Sequence, residues 1–397
     1  MKLQQDAILI LRTLEEAGFE AYAVGGCVRD ALLGLDPKDI DITTSARPEE
    51  VKALFPKTFD TGIEHGTVTV LLHGAGYEVT TFRTDGKYTD HRRPDEVRFA
   101  STLSEDLSRR DFTINAMAYH PDKGIIDLFG GREDLAAGLI RCVGRALERF
   151  DEDALRMLRA VRFAARLGFR IDEEALRAVR KLSPTLQYVS RERVWEELKK
   201  ILLSPHPDYL GMLKELGLLP YVSPRLSAVS PENTAAFEGS EADLFLRTAI
   251  WLYPLEEEEA RVVLRELKTD NELREQVCLL LFHRRDPAPE SGKEARAQMR
   301  ILGREEAARL LKLQKAVRQI DPEAYLKAST VLRSEWEAPV SLKELSVTGR
   351  DLIRAGDTPG KELGAHLDWL LDQVIEDPAQ NNPETLIALL KQHWYNT

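Results

Sequence analysis

Cysteine is scarce: Cys27, Cys142 and Cys278 are the only three in 397 residues, far apart and never spaced as CxxC. That spacing excludes a disulfide framework and offers no zinc motif, so all three read as small core residues. Long hydrophobic runs are missing as well. No apolar stretch approaches the ~20 residues that a bilayer-spanning helix needs. The opening Met1-Lys2-Leu3-Gln4-Gln5-Asp6 leads into an amphipathic helix rather than a signal sequence. A soluble, cytoplasmic protein is the expectation. Positive charge is in deficit too, with 55 Lys and Arg against 66 Asp and Glu and a net −11, which taken alone argues against a polyanionic partner. No repeat of fixed period and no long low-complexity tract is present, so neither a solenoid nor an extended disordered segment is indicated.

What is present is enough chain for two or more cores: 397 residues at 43% hydrophobic composition exceed what a single core reaches. The charge is unevenly spread. Between Arg141 and Arg170 eight arginines (141, 145, 149, 156, 159, 162, 166 and 170) face four acids, Glu148, Asp151, Glu152 and Asp153, a net +4 window in an acidic chain. The acidic run from Glu256 to Glu259 reads as a solvated face.

The first 140 residues mix helical and strand periods, and the remainder is helical in pattern. This predicts an α+β N-terminal region with a mixed β-sheet, followed by an all-α region, with a boundary near 140. Residues 3–17 carry apolar positions at helical spacing. Strands are predicted at 21–24 and around 40–43, and a hairpin from 66–72 and 77–82, turning through His73-Gly74-Ala75-Gly76. Short helices are expected at 28–33 and 48–54. The polar segment Thr84 to Pro94 has no period and reads as a loop. Beyond 140, helices are expected at about 144–150, 152–167, 173–181 and 191–203. Prolines 205, 207, 220, 224 and 231 then announce another helical unit.

Three constellations carry chemistry. The first is Gly25-Gly26-x-x-Arg29-Asp30 followed by Asp39-Ile40-Asp41. Residues two apart in a strand share a side, so Asp39 and Asp41 would present two carboxylates together, a platform for Mg²⁺ that leaves coordination sites for substrate phosphates. The glycine pair lets backbone N–H groups approach a phosphate, with Arg29 beside it. The same residues also suit a tight turn followed by an exposed loop. The second is Glu105-Asp106-Leu107-Ser108-Arg109-Arg110-Asp111-Phe112-Thr113-Ile114-Asn115-Ala116. Asp111 is placed to cap a helix beginning at Phe112, and Arg110 to meet a triphosphate near that helix end.

The third is Glu152-Asp153-Ala154-Leu155-Arg156, continued by Arg159 and Arg162. Residues three apart follow one ridge of a helix, so Asp153, Arg156, Arg159 and Arg162 would form a polar row. As a solvated row it would contribute only tenths of a kcal/mol. As a recognition edge it does more. A carboxylate accepts and a guanidinium donates, which matches the amine and unprotonated ring nitrogen that cytosine and adenine share and mismatches uracil and guanine.

Together these residues resemble the class II tRNA nucleotidyltransferases, the bacterial CCA-adding enzymes and their poly(A) polymerase relatives in the polymerase-β superfamily. Val24-Gly25-Gly26-Cys27-Val28-Arg29-Asp30 with Asp39-Ile40-Asp41 is similar to the metal motif. Arg109 to Ala116 is similar to the second motif, and Asp127-Leu128-Phe129-Gly130-Gly131 to the hinge segment. Glu152 to Arg156 resembles the amino-acid template motif, and Ser190-Arg191-Glu192-Arg193-Val194-Trp195-Glu196-Glu197-Leu198 the motif that braces it. Val347-Thr348-Gly349-Arg350-Asp351-Leu352 and Pro359-Gly360 look like the tail of Gram-positive members.

The resemblance implies a head at 1–139 with a five-stranded sheet, a neck with the base-selecting helix at 140–204, a body at 205–300 and a tRNA-binding tail at 301–397. It implies metal ligation by Asp39 and Asp41 in a two-metal Mg²⁺ site. Nucleotide contact falls to Gly26, Arg29, Arg110, Arg159 and Arg162, beside the base edge of Asp153 and Arg156, with Glu78 as an additional catalytic carboxylate. The implied reaction is template-independent addition of the 3′-terminal CCA of tRNA from CTP and ATP with release of pyrophosphate; an A-adding or poly(A)-making relative shares the motifs. The partners are tRNA, through acceptor stem and elbow, and the two nucleotides, and a homodimer is expected from the relatives alone. No histidine is followed by aspartate, so the HD phosphohydrolase domain of some relatives is not expected. Asp85 to Pro94 resembles the flexible loop that CC-adding members lack, which favours an enzyme able to add A.

Overall fold

The computed structural model describes residues 3–37, 39–85, 97–228 and 231–395. Chain contacts divide it into two compact units, Met1–Thr234 with Glu266–Lys268, and Ala235–Arg265 with Thr269–Thr397.

The first unit opens with α1 (Gln5–Glu16), whose Ala7, Ile10, Leu11 and Leu14 form the buried stripe that their helical spacing predicts. Then come β1 (Ala21–Val24), α2 (Gly26–Leu32), β2 (Asp41–Thr44), α3 (Pro48–Leu54), β3 (Thr58–Gly62), β4 (Thr67–Leu72) and β5 (Ala75–Thr81). Strands β6 (Arg83–Asp85) and β7 (Val97–Phe99) pair with each other, and α4 (Leu103–Ser108), β8 (Met117–His120), β9 (Gly124–Asp127) and α5 (Gly131–Ala137) follow. Residues 84 and 85 of the expected loop lie in β6; 86–94 fall outside the described residues.

The main sheet has seven strands in the order β3-β4-β5-β2-β1-β8-β9. Only the β2–β5 pairing is parallel, and all four residues of β1 are buried. The five strands implied by resemblance are therefore extended at both edges. Neither edge strand advertises itself: β3 is largely exposed and lacks apolar alternation, and β9 is only half-buried.

Beyond the sheet, β10 (Leu139–Ile140) pairs in parallel with β11 (Arg170–Ile171). Between and after them run α6 (Ala146–Glu152), α7 (Leu155–Leu167), α8 (Glu173–Leu182) and α9 (Arg191–Leu202), with the short α10 (Met212–Glu215) and α11 (Leu219–Val222). Ten of the thirteen residues of α7 are buried, Arg156 and Arg162 among them, which makes it the spine of this half of the unit.

The second unit, by itself, is helical: α12 (Leu244–Leu252), α13 (Glu257–Glu266), α14 (Asn271–His283), α15 (Gly292–Leu302), α16 (Arg304–Ala316), α17 (Pro322–Ser334), α18 (Gly349–Arg354), α19 (Lys361–Glu376) and α20 (Pro383–Leu390). The buried Arg296 of α15 donates to the carbonyls of Ile375 (2.9 Å) and Glu376 (3.0 Å), satisfying the end of α19, and pairs with Glu335 at 2.6 Å. The three cysteines are buried and free. Burial pushes the Cys27 thiol up to about 11 and those of Cys142 and Cys278 up to about 12, so they are inert fillers as expected.

The Asp127-Leu128-Phe129-Gly130-Gly131 segment shows its reason. The Asp127 carboxylate accepts from the backbone N–H groups of Phe129, Gly131 and Arg132 at 3.3, 2.8 and 2.8 Å, capping α5. Gly130 has φ +75°, and a Cβ on Gly131 would strike the Thr113 carbonyl and lie 2.9 Å from Met117 Cγ. Gly131→Ala is therefore expected to destabilise the first unit by about 2–3 kcal/mol, because backbone cannot yield as a side chain does. Denaturant unfolding should show a lower midpoint with unchanged slope.

Candidate active site

The Gly25-Gly26 turn follows β1 where the chain reverses into α2, and Gly25 adopts φ +79°. A Cβ there would lie 3.0 Å from Nη1 of Arg110, so the guanidinium of Arg110 crosses directly over the turn. Arg110 pairs with Asp106 at 3.2 Å, and its Nε has no hydrogen-bond partner among the described residues. Asp106 is fully buried and gathers Thr43 of β2 (3.2 Å), the backbone N–H of Arg83 (3.4 Å) and Nε of Arg109 (3.0 Å) as well. It was not singled out from sequence, although its spacing three and four residues before two arginines is the signal.

Asp39 and Asp41 flank the buried Ile40, and both are exposed. The ladder starts only at Asp41, opposite Val24, so Asp39 stands just outside the strand, but the alternation that places both acids on one side persists. The parallel register Ile42↔Val79 brings Glu78, also exposed, beside Asp41. Desolvation, then the Glu78 charge, and more weakly Asp39, push the Asp41 carboxyl up, and Arg110 opposes them. A bound cation would relieve that crowding of like charge. Among the described residues no group of three or more His, Cys, Asp or Glu side chains forms a ready-made cage. An open carboxylate pair still suits Mg²⁺, which keeps several waters and takes substrate phosphates as ligands.

Asp111 does not cap a helix at Phe112. A short 3-10 turn spans Thr113–Asn115, and the carboxylate instead ties three elements together. One oxygen accepts from the Phe112 N–H (2.8 Å) and Asn115 Nδ2 (3.1 Å), and the other takes two donors of Arg159 on α7, at 2.8 and 2.5 Å. Asn115 passes the network on, accepting from Nη1 of Arg29 at 2.5 Å. Arg29 is only 2% exposed, paired with Asp30 at 2.7 Å, and Asp30 also receives Arg166 at 2.8 Å.

The expected single helix over 152–167 is broken. Asp153 closes α6 with φ −138° and ψ 104°, and α7 starts at Leu155, so Asp153 does not share a ridge with Arg156, Arg159 and Arg162. A carboxylate at this point competes for backbone: Asp153 accepts from the Leu155 N–H at 3.1 Å, which favours the break. Its other oxygen takes Arg193 of α9 at 2.8 Å. Arg156 is held separately, by Glu152 at 2.6 Å and the carbonyls of Arg149 (3.2 Å) and Arg109 (3.1 Å). Arg162 pairs with the buried Glu197 of α9. The row is thus no solvated face; its arginines are fixed by partners from the sheet side and from α9.

Chemically, this arrangement offers carboxylates at one edge, a glycine turn crossed by a guanidinium, and a set of carboxylate-held arginines beyond, the layout of a nucleotidyltransferase head joined to a helical segment. Family comparison agrees. Residues 21–141 match the poly A polymerase head domain, 168–229 the probable RNA and SrmB-binding site of polymerase A, and 241–390 the putative domain 2 of tRNA nucleotidyltransferase. The CCA-adding enzyme of Limosilactobacillus reuteri is 41% identical over 96% of this chain and 95% of its own length. That of Geobacillus kaustophilus is 40% identical over 98% and 96%. The crystal structure of the Bacillus stearothermophilus CCA-adding enzyme in complex with CTP superposes with a TM-score of 0.82, at 35% identity over 98% of this chain and 96% of that one. The chain belongs to the CCA-adding enzymes, the class II tRNA nucleotidyltransferases of the polymerase-β superfamily. Membership implies a divalent-metal-dependent active site, and no described helix is long and apolar enough to cross a membrane.

Asp111 sets a pH dependence. Burial raises its carboxyl, but the Arg159 charge and the Asn115 and Arg159 hydrogen bonds outweigh it and hold the value down at about 2. Against an unfolded value of about 3.9, the stabilisation is complete above pH ~4 and is lost as pH falls towards ~2, amounting to ~2 kcal/mol. Unfolding free energy measured from pH 5 to 2 should fall more steeply for the natural protein than for Asp111→Asn, and parallel curves would remove Asp111 from this role.

Proposed function

We propose that this enzyme adds and repairs the 3′-terminal CCA of tRNA without a template, using CTP and ATP and releasing pyrophosphate. The observation that carries the reading is end-to-end similarity to CCA-adding enzymes, one of them solved with CTP. The division of labour assigned to residues 1–139, 140–204, 205–300 and 301–397 is part of the same proposal, as are action in the cytoplasm and a homodimeric state.

In this reading Asp39 and Asp41 hold two Mg²⁺ ions, with Glu78 as a neighbouring acid. When bound, such ions lower the pKa of the tRNA 3′ hydroxyl and neutralise the triphosphate. The Gly25-Gly26 turn and Arg110 receive the phosphates, since Nη1 of Arg110 lies over a turn that carries no side chain. Arg159 and Arg162 extend that contact. Arg29 is buried and fully engaged, so its part is to hold the turn and Asn115 in place. The 3′ oxygen attacks the α-phosphorus in line as the bond to pyrophosphate breaks, a reaction driven by positioning and charge neutralisation. Asp153, pinned by Arg193, and Arg156, pinned by Glu152, face the base as acceptor and donor. Independent anchoring of the two suits discrimination, because an edge that cannot reorient leaves the wrong base with unpaired groups.

The shared poly A polymerase head keeps a second reading in play, an A-adding relative. Acceptors lacking CCA, CA or A, offered each nucleotide alone and together, separate the two: CMP and AMP incorporation on all three supports CCA addition, and activity on the CC-ended acceptor alone supports the other. Asp41→Ala should lower transfer by at least about 10³-fold, the scale of lost electrostatic catalysis, while tRNA retention on a gel stays near normal. Equal loss of both would contradict the metal assignment. Arg156→Ala should narrow the preference for CTP over UTP by about ten-fold or more, and an unchanged ratio would remove Arg156 from base choice.

A further inference from the structure

Phe163 lies on α7 one residue beyond Arg162, and by sequence alone it is an ordinary core position. Its surroundings are not ordinary. The guanidinium carbons of Arg162, Arg29 and Arg159 lie over its ring at 3.9, 5.2 and 5.6 Å from the centroid, and the ring is 5% exposed. Phe112, from the turn carrying Asp111 and Asn115, meets it edge to face at 5.7 Å and 78°. Three cations therefore converge on one desolvated phenyl ring.

Each arginine has its own carboxylate: Arg29 has Asp30, Arg159 has Asp111 and Arg162 has Glu197. Those ion pairs draw on the N–H donors at the edge of each guanidinium. They do nothing for the flat faces, and those of Arg29 and Arg162, both buried, have lost water. An aromatic face is negative and accepts such a plane, whereas an aliphatic side chain of similar volume fills the space and offers no charge. Mutual repulsion among three guanidiniums would otherwise spread them.

We propose that Phe163 is a positioning residue for nucleotidyl transfer, its ring holding Arg29, Arg159 and Arg162 close about it so that Arg159 and Arg162 meet the incoming triphosphate in a fixed geometry. This rests on the reading of those two arginines as nucleotide contacts. Ring-fluorinated phenylalanines, placed at 163 alone by suppression in the full-length enzyme, test it, because they keep shape and packing and remove negative charge from the ring face stepwise. KM for CTP and ATP should climb with fluorine number to about ten-fold at the trifluoro ring, with kcat within about two-fold, the scale of a cation–π contact in a desolvated site. Thermal stability should change much less than KM. Arg162→Lys is the control, expected to raise KM as well. A flat KM across the fluorinated series beside a raised KM in Arg162→Lys overturns the role of Phe163 and leaves the arginine reading intact. A flat KM in both overturns the arginine reading and this proposal with it.

Discussion

A carboxylate taken out of water must find donors or give up its charge, and Asp111 is the point where this chain meets that demand. Its two oxygens are filled by the backbone and Asn115 of the head turn on one side and by Arg159 of α7 on the other. The sheet-bearing and helical halves of the first unit are thus tied at this ionised group, and again where Arg166 meets Asp30 and Arg156 meets the Arg109 carbonyl. Arg29, reached through Asn115, and the Gly25-Gly26 turn that Arg29 underlies inherit their placement from the same contact.

The same logic reconciles an acidic chain with a polyanionic substrate. Net charge describes the whole molecule, whereas binding depends on which cations are uncommitted and where. Most arginines of the 141–170 window are held by named carboxylates, which fixes where their remaining donors stand. Arg110 lays its Nη1 over a turn with no side chain in the way. The opposite sign gathers a short distance along the sheet, where Asp41, Glu78 and Asp39 crowd one another.

Much of this was legible in the sequence. Strands β1, β4 and β5 and helices α1, α3 and α9 follow from period and turn residues, and the glycine pair, the DxD and the arginine run mark the candidate site. What was not legible depends on tertiary partners. The break at Asp153 is local chemistry, an aspartate accepting a backbone N–H, but helical periodicity runs straight across it. Asp111 carries a cap signature, and nothing nearby in sequence reveals Arg159, 48 residues on, as its true partner. Edge strands β3 and β9 lack apolar alternation because neither has a buried face, β3 being largely exposed and β9 half-buried throughout. Phe163 reads as core, and it is core; only the assembled fold brings three arginines to its face.

In the proposed reaction the first unit grips a nucleotide between a carboxylate edge and a set of fixed arginines, and a crystal structure of the enzyme with CTP and Mg²⁺ is the sharpest test. Phosphates are expected along Gly25, Gly26 and Arg110, density for a cation at Asp39 and Asp41, and the cytosine edge against Asp153 and Arg156. CTP bound elsewhere, or bound here with its base turned away from both of those side chains, would contradict it.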